Sequence, residues 1–164
     1  MARGRPLPVT FASRHIDMNA DEFVHCLGKT DDHPDILRLL ARLGAKKPAK
    51  VPRGSTEVRV EVRPLGIEML FKPIDDNRRH GLTFASVVFH GNGKLGAGAL
   101  PFGLSFSDSR KDARKKVGPP MYISDELNRD AWDYQTHTMT ADYARGRGRI
   151  MVLSLSMPFD PEDD

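Results

Sequence analysis

The sequence predicts an α+β protein of two tandem, similar units, each a short helix or helices packed on an antiparallel sheet of about three strands. Three observations lead there. Glu57-Val-Arg-Val-Glu-Val-Arg63 alternates valine with charge, the period-two signature of a half-buried strand. Leu100 to Pro120 reads as a turn, a capped short helix and a hard stop, and a weaker copy lies at Leu27 to Gly44. The order helix, strand, strand, strand then recurs in both halves, with 28–44 lining up on 103–118 to within one residue. The first unit is expected over 19–91 and the second over 92–158, after an irregular lead-in at 1–18 and before an acidic tail at 159–164.

Each element has its own signal. Asn19-Ala-Asp-Glu22 is a capping-box pattern; Phe23, Val24 and Leu27 supply an apolar side, and Gly28 a left-handed end. Asp31-Asp-His-Pro34 suits a second helix N-terminus, Ile36, Leu39, Leu40 and Leu43 recur at helical spacing, and Gly44 ends the run. A polar connector at 45–55 leads to the alternating strand, where Val58, Val60 and Val62 share a face. Pro64-Leu-Gly66 turns the chain, Ile67, Met69 and Phe71 point inward, and a polar loop at 73–81 precedes the apolar run Leu82 to Phe89. In the second half, Ser107 or Asp108 is expected to cap a helix ending at Val117, stopped by Gly118-Pro-Pro120. Strands are expected at 132–134, 138–143 and 149–157, the last with Met151, Leu153, Leu155 and Met157 on one face.

Composition narrows the function classes. At 164 residues, 39% hydrophobic and 29% charged, the chain is long enough for a proper core and is not a disordered type. No apolar run approaches the ~20 residues that span a bilayer, so no membrane partner is expected. The opening Met1 to Ser13 starts basic but lacks a continuous apolar centre, and the lone Cys26 suits a reducing compartment. A cytoplasmic location follows as the expectation. A net charge of +3 falls short of the footprint of a dedicated nucleic-acid binder.

No catalytic, cofactor or metal site is expected. His15, His25, Cys26 and His33 lack the paired spacing of zinc ligands, and a buried apolar Cys26 is the simpler reading. Cys26 as a nucleophile requires a histidine such as His80, His90 or His137 brought beside it. Gly91-Asn-Gly-Lys-Leu-Gly-Ala-Gly98 has the wrong order for a phosphate loop and reads as a connector. The helix at 108–117 carries Arg110, Lys111, Arg114, Lys115 and Lys116, the best nucleic-acid candidate, although Asp108 and Asp112 interrupt it and no aromatic platform adjoins it. Candidate partner-binding residues are Asp75, Asp76, Arg78, Arg79 and His80, in a polar loop between apolar strands, and Trp132. Trp132 serves either as an interface anchor or as a core residue, and the strand alternation favours the core.

Leu100-Pro-Phe-Gly-Leu, Asp108-Ser-Arg110 and Val117-Gly-Pro-Pro120, followed by Trp132-Asp-Tyr134, resemble a pattern in bacterial immunity proteins of polymorphic-toxin, type VI and contact-dependent secretion systems. Pro64-Leu-Gly-Ile-Glu-Met-Leu-Phe71 is similar to another strand of that group, and together the likeness covers roughly residues 20–157. The helix-plus-strands unit also looks like that of β-lactamase inhibitor protein and the lipoprotein BamE. Val117 stands where the group usually has leucine, and no lipobox matches the BamE role. The resemblance implies a non-enzymatic immunity protein that occludes the active site or substrate channel of a cognate toxin; a second copy of the chain is the other partner considered. The alternatives are a nucleic-acid-associated protein using helix 108–117 and a small enzyme using Cys26 or a histidine.

Overall fold

The structure, a computed structural model, is described over residues 18–75, 81–96, 98–146 and 148–158. Helices α1 (Ala20–Cys26) and α2 (Pro34–Leu43) precede a meander of β1 (Val58–Val62), β2 (Ile67–Pro73) and β3 (Leu82–His90). Helix α3 (Arg110–Val117) precedes a second meander of β4 (Tyr122–Ser124), β5 (Arg129–Asp133), β6 (Thr138–Tyr143) and β7 (Ile150–Ser156).

The two meanders share one sheet. Its order is β1-β2-β3-β7-β6-β5-β4, antiparallel throughout, with β3 and β7 pairing from Ser86↔Ser156 to His90↔Val152. This corrects the expected fold of two tandem helix-on-three-strand units: there is a single seven-stranded sheet, with two helices on one half's side and a four-stranded meander in the other. The reason is physical. Each three-stranded unit would leave the backbone of an apolar strand bare at its edge, and pairing β3 with β7 satisfies both edges at once.

All three helices cover one face. Ile67, Met69, Phe71, Phe84, Val87 and Phe89 from the first half join Met139, Ala141, Leu153 and Leu155 from the second in one buried core. Phe23 of α1 meets Phe89 edge-to-face at 5.3 Å, a geometry that adds ~0.5–1.5 kcal/mol to area burial. The amphipathic side of α2 buries Ile36, Leu39, Leu40 and Leu43, and Gly44 ends the helix in the left-handed conformation at φ 66°.

Local signals were mostly used, with shifts. Asn19 caps α1 through Asp21 N–H. The cap of α3 is Ser109, in a reciprocal capping box with Asp112, rather than Ser107 or Asp108. Asp108 instead accepts from Ser105 N–H and from the Lys116 ammonium. The strand β4 was not expected. Its three residues follow Gly118-Pro-Pro120 and are too few to show a period. The expected face of β7 is also corrected. Tyr143 pairs with Ile150 and Asp142 with Val152, so Met151 is the extra residue of a bulge and is 54% exposed. Ile150, Leu153 and Leu155 face the core instead.

Candidate functional site

Two arrangements carry polar chemistry: a buried ionic cluster under α3, and the sheet face that no described element covers. The cluster centres on Asp130, fully buried on the core side of β5. Arg110 and Arg114 lie one helical turn apart on α3 and both reach it. Arg110 donates through Nε at 3.1 Å and Nη2 at 2.9 Å, Arg114 through Nε at 2.9 Å and Nη2 at 2.8 Å, and the Tyr143 hydroxyl at 3.2 Å. Burial alone would raise the Asp130 carboxyl, but the hydrogen bonds from Arg114 and Arg110 outweigh it and hold the group below the usual carboxylate range. Burial and the Asp130 charge push the Tyr143 phenol well up, so its hydroxyl stays protonated and donates.

This cluster absorbs much of the basic helix. Lys116 is also engaged, by Asp108 at 2.8 Å and the Gly103 carbonyl at 3.0 Å, while Lys111 and Lys115 face solvent. Of the five cations nominated for nucleic acid, Arg110 and Arg114 thus pin α3 to the sheet and Lys116 ties it to the loop before it.

Cys26 is 4% exposed at the base of a cleft between α1 and α2 that also includes His25, Asp35 and Leu39. Burial pushes its thiol up, the opposite of an activated nucleophile. His25 and Lys29 both approach Asp35 rather than the sulfur. Cys26 is expected to react with a bulky aromatic disulfide at least about tenfold more slowly in the native protein than in urea. Equal rates in a stopped-flow absorbance assay would contradict that. Among the described residues no group of three or more His, Cys, Asp or Glu is placed to hold a metal ion.

The open face is built from alternate residues of all seven strands, and the register sets them in rows. One row runs Arg59, Leu70, Ser86, Ser156, Thr138, Asp133. The next runs Glu68, Val88, Ser154, Thr140, Ala131, Tyr122, and a third His90, Val152, Asp142, Arg129, Ser124. Along the centre the side chains are small, hydroxylic or aliphatic, and half-buried among themselves. Charge sits at the flanks in pairs: Arg59 with Glu68 at 2.7 Å on one side, Arg129 with Asp142 on the other. His90 adds a hydrogen bond to Glu68 at 3.1 Å. Burial would raise the Glu68 carboxyl, but His90 and Arg59 hold it low. Beyond β5 the face ends at Tyr122 of β4, which is 62% exposed, whereas Ile123 pairs with Asp130 and belongs to the opposite side.

Few of the sequence-nominated residues belong to this face. Asp75 is exposed in the bend after β2, and Asp76, Arg78, Arg79 and His80 lie outside the described residues. Trp132 points to the core side of β5, is 4% exposed, and donates Nε1–H to the Gly118 carbonyl at 3.0 Å. The residues that do form the face were passed over, although the alternation Thr138, Thr140 and Ser154, Ser156 in two strands is a readable signal of a polar sheet face.

No protein-family model matches the chain, and no curated protein matches it. A solved structure, that of a DUF4309 family protein (YjgB) from Bacillus subtilis subsp. subtilis str. 168, is similar at TM-score 0.45 and 10% identity, over 88% of this chain and 96% of that chain. No helix among the described residues is long and apolar enough to cross a membrane.

Proposed function

We propose that the chain is a cytoplasmic immunity protein that binds a cognate antibacterial toxin through the open face of the sheet and occludes its active site or substrate channel. The observation that carries the reading is the anatomy of that face. A charge-free centre of Leu70, Val88, Ser154 and Thr140 is flanked by ion pairs and continues through Ala131 into exposed Tyr122. Protein-binding surfaces share this plan, with charge depleted at the centre and retained at the rim. Such a face is also rigid, because every strand beneath it is paired and its other side is packed, so little ordering cost is subtracted from affinity. The motif resemblance supplies the toxin as the partner class.

The test is co-expression with the product of the adjacent upstream gene, reading complex formation and relief of toxicity. Thr140→Lys and Ser154→Lys place a charge at the centre and are expected to weaken the complex by about 100-fold or more, because the new ammonium is desolvated without a partner. Lys111→Gln, on the opposite side, is expected to change nothing. Wild-type protein that neither binds nor protects overturns the proposal; unchanged binding by both lysine variants overturns the choice of face.

A further inference from the structure

Resting on that reading, we infer that the cleft at the β5–β6 end of the open face receives a basic side chain, a lysine or arginine, of the bound protein. The cleft has a volume of about 780 Å³, within the range of ligand-binding clefts, and lies between Tyr122, Tyr134 and Met157 with Asp133, Thr138 and Ser156 beneath them.

Asp133 is what selects for a cation. The other carboxylates of the open face have internal counterions: Glu68 has Arg59, Asp142 has Arg129, and Glu61 has Arg63. Among the described residues Asp133 has a single hydrogen bond, from the Thr138 hydroxyl to Oδ1 at 2.8 Å, and no lysine, arginine or histidine pairs with it. That bond fixes the carboxylate and leaves Oδ2 open to a second donor. The His137 imidazole does not compete. His137 stacks on Tyr134 at 5.0 Å, and burial pushes its pKa down, so it is neutral at neutral pH.

The aromatic walls fit the same guest. Tyr134 is braced by Phe102 at 5.7 Å as well as by His137. Tyr122 has no ring partner among the described residues and is 62% exposed, so its π-face is available to a cation. A fixed carboxylate beside a free aromatic face is complementary to a guanidinium or ammonium carried on an aliphatic stem, which Met157 and Pro158 can line. In a complex that excludes water from this cleft, the pair gains strength relative to an exposed ion pair.

Two measurements decide it. With the co-expressed partner, Asp133→Asn is expected to raise Kd at least about tenfold, mainly through faster dissociation, with Asp133→Glu recovering part of the loss. Unchanged thermal midpoints show that the variants are folded. Independently of any partner, titration of the isolated protein with methylguanidinium chloride is expected to move the amide resonances of Thr138 and Ser156 saturably in wild type and not in Asp133→Asn, with sodium chloride as the control. If the wild-type protein binds no toxin, the functional reading fails and the titration alone judges the cleft. If toxin binds and Asp133→Asn weakens it less than twofold, the cleft assignment is overturned; a titration without saturation overturns it equally.

Discussion

Replacing Asp130 by alanine is expected to destabilise the fold by about 3–5 kcal/mol, a large part of the 5–15 kcal/mol that holds a domain of this kind together. The carboxylate satisfies two guanidinium groups and the Tyr143 hydroxyl at once. Without it, Arg110 and Arg114 stay side by side under mutual repulsion, and the tyrosine hydroxyl loses its acceptor inside the core. Single losses on the other side cost less. Arg114→Ala leaves Arg110 on the carboxylate, and Tyr143→Phe removes one hydrogen bond, about 1 kcal/mol. Replacing the cluster as a whole, with Asp130→Leu, Arg110→Met and Arg114→Met together, is expected to recover much of the loss, since the desolvation cost disappears with the charges. The sign with pH follows from the depressed carboxyl. Its contribution is complete above the unfolded-state value of about 3.9 and is lost as pH falls through the lower folded value, so wild type loses more stability than Asp130→Asn on acidification below about pH 4. Urea unfolding at pH 7 and pH 3 measures both effects. A cost under about 1 kcal/mol for Asp130→Ala would show that α3 is held by packing instead.

How much of this was readable beforehand depends on the range of the interaction. Val58, Val60 and Val62, and Ile67, Met69 and Phe71, declare their faces because a strand's period lies within a few residues. The four-residue spacing of Arg110 and Arg114 also declares a common face, and Ala113 between them is fully buried, so an inward-facing basic pair was legible in principle. Its partner was not. Asp130 looks like any strand-edge charge until β5 is placed beneath α3, sixteen residues or more away. The seam between β3 and β7 is of the same kind. Two apolar strands more than sixty residues apart say that each is buried, but not that they pair with one another. The open face is hard to read for a different reason: charge and tryptophan stand out in a sequence, whereas the centre of the face consists of Thr, Ser and aliphatic residues that are unremarkable singly. The bulge at Met151 lay beyond any pattern rule, because the extra residue shows only once β7 is set in register against β6.

Phe89→Ala is expected to cost about 3–5 kcal/mol and, because of where it sits, to unfold both halves together. Phe89 is 1% exposed at the seam: it lies opposite Leu153 of β7, opposite Ile67 of β2, and edge-on to Phe23 of α1. Truncation opens a cavity where the two meanders and the helix layer meet, and close-packed neighbours relax into it only partly. Were the halves separate units, damage in β3 would leave the second half intact. In a single sheet with one core, it cannot. Trp132 gives a local probe in the second half, since its indole is buried on β5 and bonded to Gly118, while circular dichroism reports the whole chain. Both signals are expected to shift to the same lower denaturant midpoint in Phe89→Ala, as a cooperative two-state transition requires. A Trp132 transition that keeps its wild-type midpoint while the dichroism splits into two steps would mean that the β3–β7 pairing joins the halves without coupling them.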